Sequence, residues 1–160
     1  MPSASSHDEK DISRIVRALN DRPGALLPIL HGIQEELGYI PLKAVPIIAE
    51  ELNLTRAEVH GVISFYHDFR SKPAGRHVVK ICQAESCQAM GSESLTTHAK
   101  QHLGIGFHDT TQDEAFTLEP VYCLGNCACS PAIMVDEEVY GRVTPQRLQE
   151  ILQEAARSDK

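Results

Sequence analysis

His77-Val-Val-Lys-Ile-Cys82-Gln-Ala-Glu-Ser-Cys87 is the stretch on which the reading of this chain turns. Val78, Val79 and Ile81 are β-branched, so 77–81 reads as a strand. That strand runs directly into two cysteines with four residues between them. The arrangement recurs in Phe116-Thr-Leu-Glu-Pro-Val-Tyr-Cys123-Leu-Gly-Asn-Cys127, a second strand followed by a pair with three residues between. Pro120 cannot donate to a sheet ladder, which predicts an edge position for that strand. Two strands, each delivering a cysteine pair at its end, imply a sheet whose neighbouring strand ends bring the pairs together.

Outward from these stretches the period changes. Leu95, His98, Ala99 and Leu103 share one face of a helix over 91–103. Ala132–Val135 and Val139-Tyr140 flank Asp136-Glu-Glu138 as a hairpin. Thr144 and Pro145 suit the N-cap and first turn of a C-terminal helix carrying Leu148, Ile151 and Leu152. The order βα then βββα predicts a small α/β unit over 77–160, with helices packed on a sheet.

Upstream, Ser71-Lys-Pro-Ala-Gly75 is a run of turn residues, and 71–76 reads as a linker. Before it, 11–70 reads as a helical bundle. Ile12, Ile15, Val16 and Leu19 repeat at helical spacing, and the pattern stops at Asn20-Asp-Arg-Pro-Gly24. Leu26, Leu27, Leu30, Ile33 and Leu37 form a second apolar face closed by Gly38. Pro41 can open a third helix with Val45, Ile48 and Leu52. Thr55 and Glu58 form a capping box for a fourth, which runs through Val59, Val62 and Ile63 to Phe65, Tyr66 and Phe69. These apolar and aromatic residues are expected to form the bundle core, with a partner-binding surface as the alternative for the aromatics. Residues 1–10 are small and polar, without periodicity, and read as a disordered tail.

The chain has 160 residues and a net charge of −7, which argues against a nucleic-acid partner. Its one basic cluster, Arg70, Lys72, Arg76 and Lys80, is short and reads as a solvated surface. No apolar run is long enough to cross a bilayer, so no direct membrane contact is expected. The N-terminal residues lack the apolar segment of a secretory signal, which predicts a cytoplasmic protein. There thiols stay reduced, and clustered cysteines read as metal ligands before disulfides.

Four converging thiolates suit a [2Fe–2S] cluster, two to each iron. Structural zinc usually takes Cys-x2-Cys pairs, and neither pair has that spacing. A catalytic dithiol also needs Cys-x-x-Cys, and a Rieske centre needs histidines close to the cysteine loops. The expected ligands are Cys82, Cys87, Cys123 and Cys127. Spacing alone would also allow Cys129 in place of Cys127, but Gly125 can supply the positive φ of a tight loop and suits the shorter pairing.

Gly38-Tyr-Ile-Pro41, Val59-His-Gly-Val-Ile-Ser-Phe-Tyr66, the Cys82/Cys87 pair, and Cys123-Leu-Gly-Asn-Cys127 followed by Pro131 resemble the thioredoxin-like [2Fe–2S] subunit family. That family includes the small subunit of the NADH module of respiratory complex I and its relatives in NAD-linked hydrogenases and formate dehydrogenases. The resemblance implies an N-terminal helical bundle followed by a thioredoxin-like [2Fe–2S] ferredoxin domain, without a substrate pocket and with one-electron exchange at one [2Fe–2S] cluster. Pro73–Val79 and Leu118–Val135, with its Cys127-Ala-Cys129 arrangement, look closest to the γ subunit of soluble molybdenum-dependent, NAD-linked formate dehydrogenase. That likeness implies a β-like partner holding FMN, an NAD site and iron–sulfur clusters, and a molybdenum-containing α-like subunit. The complex I or hydrogenase subunit is the alternative; a free-standing ferredoxin or iron–sulfur sensor is an alternative of another class, against which the helical bundle over 11–70 counts, being expected as a docking domain. The chain departs from its relatives at Gln112-Asp-Glu114, where they often have Asp-Gly.

Overall fold

Apolar residues at helical spacing in the first half, and β-branched runs in the second, build two separate cores. The computed structural model describes residues 5–158, and the chain divides into the units Met1–Pro73 and Ala74–Lys160.

The first unit is four helices: α1 (Ser5–Leu19), α2 (Leu26–Leu37), α3 (Ala44–Glu51) and α4 (Arg56–Phe65). Ile12, Ile29, Leu30, Ile33, Ile48 and Val59 are completely buried and form the centre of its core. Gly38 ends α2 in the left-handed region at φ 79°, its N–H donating to Gln34 O. The Thr55/Glu58 capping box is complete, with Glu58 N–H on Thr55 Oγ1 at 3.2 Å and Thr55 N–H on Glu58 Oε2 at 2.7 Å. The Thr55 backbone N–H, then its hydroxyl, holds the Glu58 carboxyl below its ordinary range. Beyond α4, the Gln34 amide clamps the chain: Nε2 donates to Asp68 O and Oε1 accepts from Arg70 N–H, both at 2.7 Å. Phe69 is thereby buried against His31.

Two expectations change here. Phe65 is 74% exposed and Tyr66 43% exposed, so of the three aromatics only Phe69 belongs to the core. A helix longer than its apolar stripe cannot keep every turn on the buried side, and α4 ends with Phe65 facing out. The helix α1 also begins at Ser5, inside the stretch read as a tail, because extending a formed helix is easier than nucleating one. The expectation for residues 1–4 lies outside the described residues.

The second unit contains β1 (His77–Cys82), α5 (Glu85–Ala89), α6 (Ser92–Leu103), β2 (Phe116–Val121), β3 (Ile133–Val135), β4 (Glu138–Tyr140) and α7 (Pro145–Ser158), with a 3-10 turn over Cys127–Cys129. The sheet order is β2-β1-β3-β4; β1 and β2 are parallel, and β3 is antiparallel to both its neighbours. Pro120 lies on β2, the edge strand, as its missing N–H requires. Val79, Ile81, Leu95, Leu118, Ile133, Leu148 and Ile151 fill the core. Thr144 caps α7 by accepting the Arg147 N–H. The helical bundle and the α/β unit expected from the sequence are both present.

The topology places the cysteines. Parallel β1 and β2 pair with Cys82 opposite Val121, so both strands end at the same edge of the sheet. Cys82 N–H bonds Ala132 O at 3.1 Å and Gln83 N–H bonds Val121 O at 2.7 Å. The segments that leave β1 and β2 therefore start side by side.

Candidate metal centre

Cys82 is the last residue of β1, and Cys87 sits in the short helix α5; both are 2% exposed. Cys123 and Cys127 are exposed, the first just beyond β2 and the second opening the 3-10 turn. Gly125 between them has φ 73°, the left-handed turn expected of it, and its N–H donates to Cys123 Sγ at 3.3 Å. Cys123 itself has φ 133°, a strained conformation for a residue with a side chain, and no local residue pattern signals it.

Two serines join the loops. Ser86 Oγ donates to Cys127 O at 3.1 Å and lies 2.8 Å from Ser130 Oγ. Ser130, 7% exposed, reaches Cys127 O at 2.9 Å and lies 3.4 Å from Cys87 Sγ. The thiol donates across that last contact when protonated, and the hydroxyl donates once the sulfur is a thiolate. Neither serine carries a signal in the sequence, since the two meet only where the loops come together.

The sulfurs respond to one another. Burial pushes the Cys82 thiol up, the N–H groups of Ala84 and Leu124 draw it partly back, and the Cys87 sulfur adds to the rise. Burial also opposes the Cys87 thiolate, but hydrogen bonds from Ser130, Ala132 N–H and Cys82 outweigh it and hold that thiol below its ordinary value. The Cys127 thiol is raised by its hydrogen bond and charge contact with Cys123, then by burial and the charge of Cys87. Fixed N–H groups aimed at sulfur are the donors that stabilise metal-bound thiolates.

One cysteine pair has the spacing that two thiolates on one metal require. A tetrahedral metal about 2.3 Å from each of two thiolates separates the sulfurs by about 3.8 Å. Cys123 Sγ and Cys127 Sγ are 3.7 Å apart. A single zinc would need at least three ligands around one point, and among the described residues no three His, Cys, Asp or Glu side chains are so arranged. The segments that follow β1 and β2 each carry two cysteines, Cys82 with Cys87 and Cys123 with Cys127. Cys129 is half-buried; its carbonyl accepts the Arg142 N–H and its Cβ faces Gly141.

Comparison with known proteins gives a consistent result. Residues 12–156 match the family described as thioredoxin-like [2Fe-2S] ferredoxin. The chain is 35% identical over 149 residues to a subunit of the NADH-quinone oxidoreductase of Pseudomonas aeruginosa, covering 93% of this chain and 90% of that one. It is 32% identical over 145 residues to HndA, a subunit of the NADP-reducing hydrogenase of Solidesulfovibrio fructosivorans, covering 91% and 85%. Among solved structures, NAD+-reducing [NiFe]-hydrogenase in the H2-reduced state superimposes with a TM-score of 0.67 at 21% identity. That match covers 82% of this chain but only 22% of the hydrogenase chain, and it speaks to the fold alone.

Proposed function

The chain belongs to the thioredoxin-like [2Fe–2S] ferredoxin family, which carries one [2Fe–2S] cluster, and we propose that Cys82, Cys87, Cys123 and Cys127 are its ligands here. One iron takes the buried pair and the other the exposed pair. The observation that carries this assignment is the 3.7 Å separation of Cys123 and Cys127 on the segment leaving β2, beside the Cys82/Cys87 segment leaving the adjacent parallel strand β1. When bound, the cluster supplies one-electron exchange. The protein holds the four thiolates, aims N–H groups at the sulfurs, and buries Cys82 and Cys87 away from water.

We further propose that the chain is an electron-transfer subunit of an NAD-linked oxidoreductase, working in the cytoplasm beside a partner that holds FMN, an NAD site and further clusters. The relatives named as subunits of NADH-quinone oxidoreductase and of a hydrogenase support the complex I or hydrogenase alternative. Formate dehydrogenase, with a molybdenum-containing α-like partner, rests on the Cys127-Ala-Cys129 arrangement and its flanking sequence. One native pull-down tests these readings. Purified with its partners, the complex should contain FMN, and the chain about two irons and two sulfides with a spin-one-half EPR signal after one-electron reduction. A molybdenum subunit in the complex selects formate dehydrogenase; a nickel-containing subunit selects a hydrogenase, and a membrane arm selects complex I. Stoichiometric zinc in a colourless chain overturns the cluster assignment.

A further inference from the structure

Two hydroxyl protons serve four contacts beside the Cys87 sulfur. Ser86 Oγ reaches Cys127 O and Ser130 Oγ; Ser130 Oγ reaches Cys127 O and lies against Cys87 Sγ. Each hydroxyl carries one proton and can rotate. Both serines are therefore able to choose between a backbone carbonyl and the path toward sulfur. Ser130 is nine-tenths buried, so solvent does not compete strongly for its hydroxyl.

We propose that the Ser86–Ser130 pair is a rotatable donor that stabilises the reduced cluster, with Ser86 donating to Ser130 and Ser130 donating to the Cys87 sulfur. This rests on Cys87 being a ligand, as proposed above. In the oxidised state the Ser130 hydroxyl donates its hydrogen bond to Cys127 O. A one-electron donor, dithionite in the test, adds one electron; no covalent bond forms or breaks, and both hydroxyl protons stay on their oxygens. The added negative charge spreads onto the ligand sulfurs, and a donor in a buried site gains from it. Ser130 then turns to Cys87 Sγ, and Ser86 supports it from behind, a chain whose members strengthen one another.

The full-length chain, reconstituted anaerobically with iron and sulfide, provides the test by EPR-monitored redox titration. Ser130→Ala should lower the reduced-to-oxidised ratio at a fixed potential about tenfold, which for a one-electron couple is a midpoint ~59 mV more negative. Ser86→Ala should move it the same way by less. The double variant should match Ser130→Ala, because Ser86 acts through Ser130. Ser130→Thr keeps the hydroxyl and should restore the wild-type midpoint. Ser130→Ala with full iron and sulfide content and an unmoved midpoint overturns the proposal. If Ser130→Ala fails to hold a cluster, a wild-type midpoint in Ser86→Ala overturns it instead. A Cys87→Ser chain that keeps the wild-type spectrum would overturn the ligand assignment itself, a separate outcome.

Discussion

At the residue scale, Cys127 and Cys129 pose the sharpest contrast. Cys127 Sγ stands at metal-sharing distance from Cys123, while Cys129 packs on Gly141 with its carbonyl tied to Arg142. Cys127→Ser should lose or severely weaken cluster binding, since a hard oxygen replaces a soft thiolate. Cys129→Ser should keep iron and sulfide content and change the visible spectrum little. Ligand exchange is controlled by the double substitution, which must empty the site. A second residue-scale outcome concerns Glu114, whose φ is 55°, in the left-handed region that favours glycine. Asp113 braces this turn by accepting from Thr111 Oγ1 and Ala115 N–H, and the Thr111 hydroxyl bond leads in holding the Asp113 carboxyl low. Relief of left-handed strain outweighs the flexibility glycine adds to the unfolded chain. Glu114→Gly should therefore raise stability by roughly 0.5 kcal/mol in thermal denaturation, and Glu114→Ala should not.

At the scale of elements, the 3-10 turn carrying Cys127 is wedged against the residue that follows β4. A Cβ on Gly141 would lie 2.6 Å from Cys129 Cβ and 2.9 Å from Cys129 O, too close without moving the turn. Gly141→Ala should cost about 1–3 kcal/mol, as overpacking does, and should slow cluster insertion. Gly61→Ala, on α4 with nothing within 4 Å, should instead gain up to about 1 kcal/mol, so chemical denaturation of the two variants separates crowding from helix propensity. These elements differ in how far they could be read from sequence. The β-branched run of β1, the Thr55 capping box and the edge position marked by Pro120 all carry local signals, and each is found. The short α5 spans five residues, too few to show a period. Phe65 and Tyr66 read as core because hydrophobicity does not say which way the last turn of a helix faces. The cysteine spacing is a local pattern that the sequence displays, whereas Ser86 and Ser130 lie 44 positions apart and meet only in the fold.

For the whole molecule, the division of labour is testable. The unit Ala74–Lys160 contains all five cysteines and a core of its own. Residues 74–160 alone should bind the cluster with an unchanged EPR signal. Deleting residues 11–70 should abolish co-purification with the proposed flavin partner, if the bundle, with Leu42 and Phe65 mostly exposed on it, is the docking element. Retained complex formation by 74–160 alone would move docking to the cluster unit.

The two cores are also consecutive along the chain. The first is built from Ile12 to Phe69 and the second from Val79 to Leu152, with no exchange of segments. A ribosome emits the chain from its N-terminus at about 5–20 residues per second. Everything the bundle needs has thus been synthesised before Cys82 exists, while the sheet must wait for Leu148, Ile151 and Leu152 of α7. Synthesis imposes a timetable: the helices can fold during translation, the thiols come next, and the core beneath them closes last. Iron and sulfide delivered early would meet two loops with no finished sheet to hold them together.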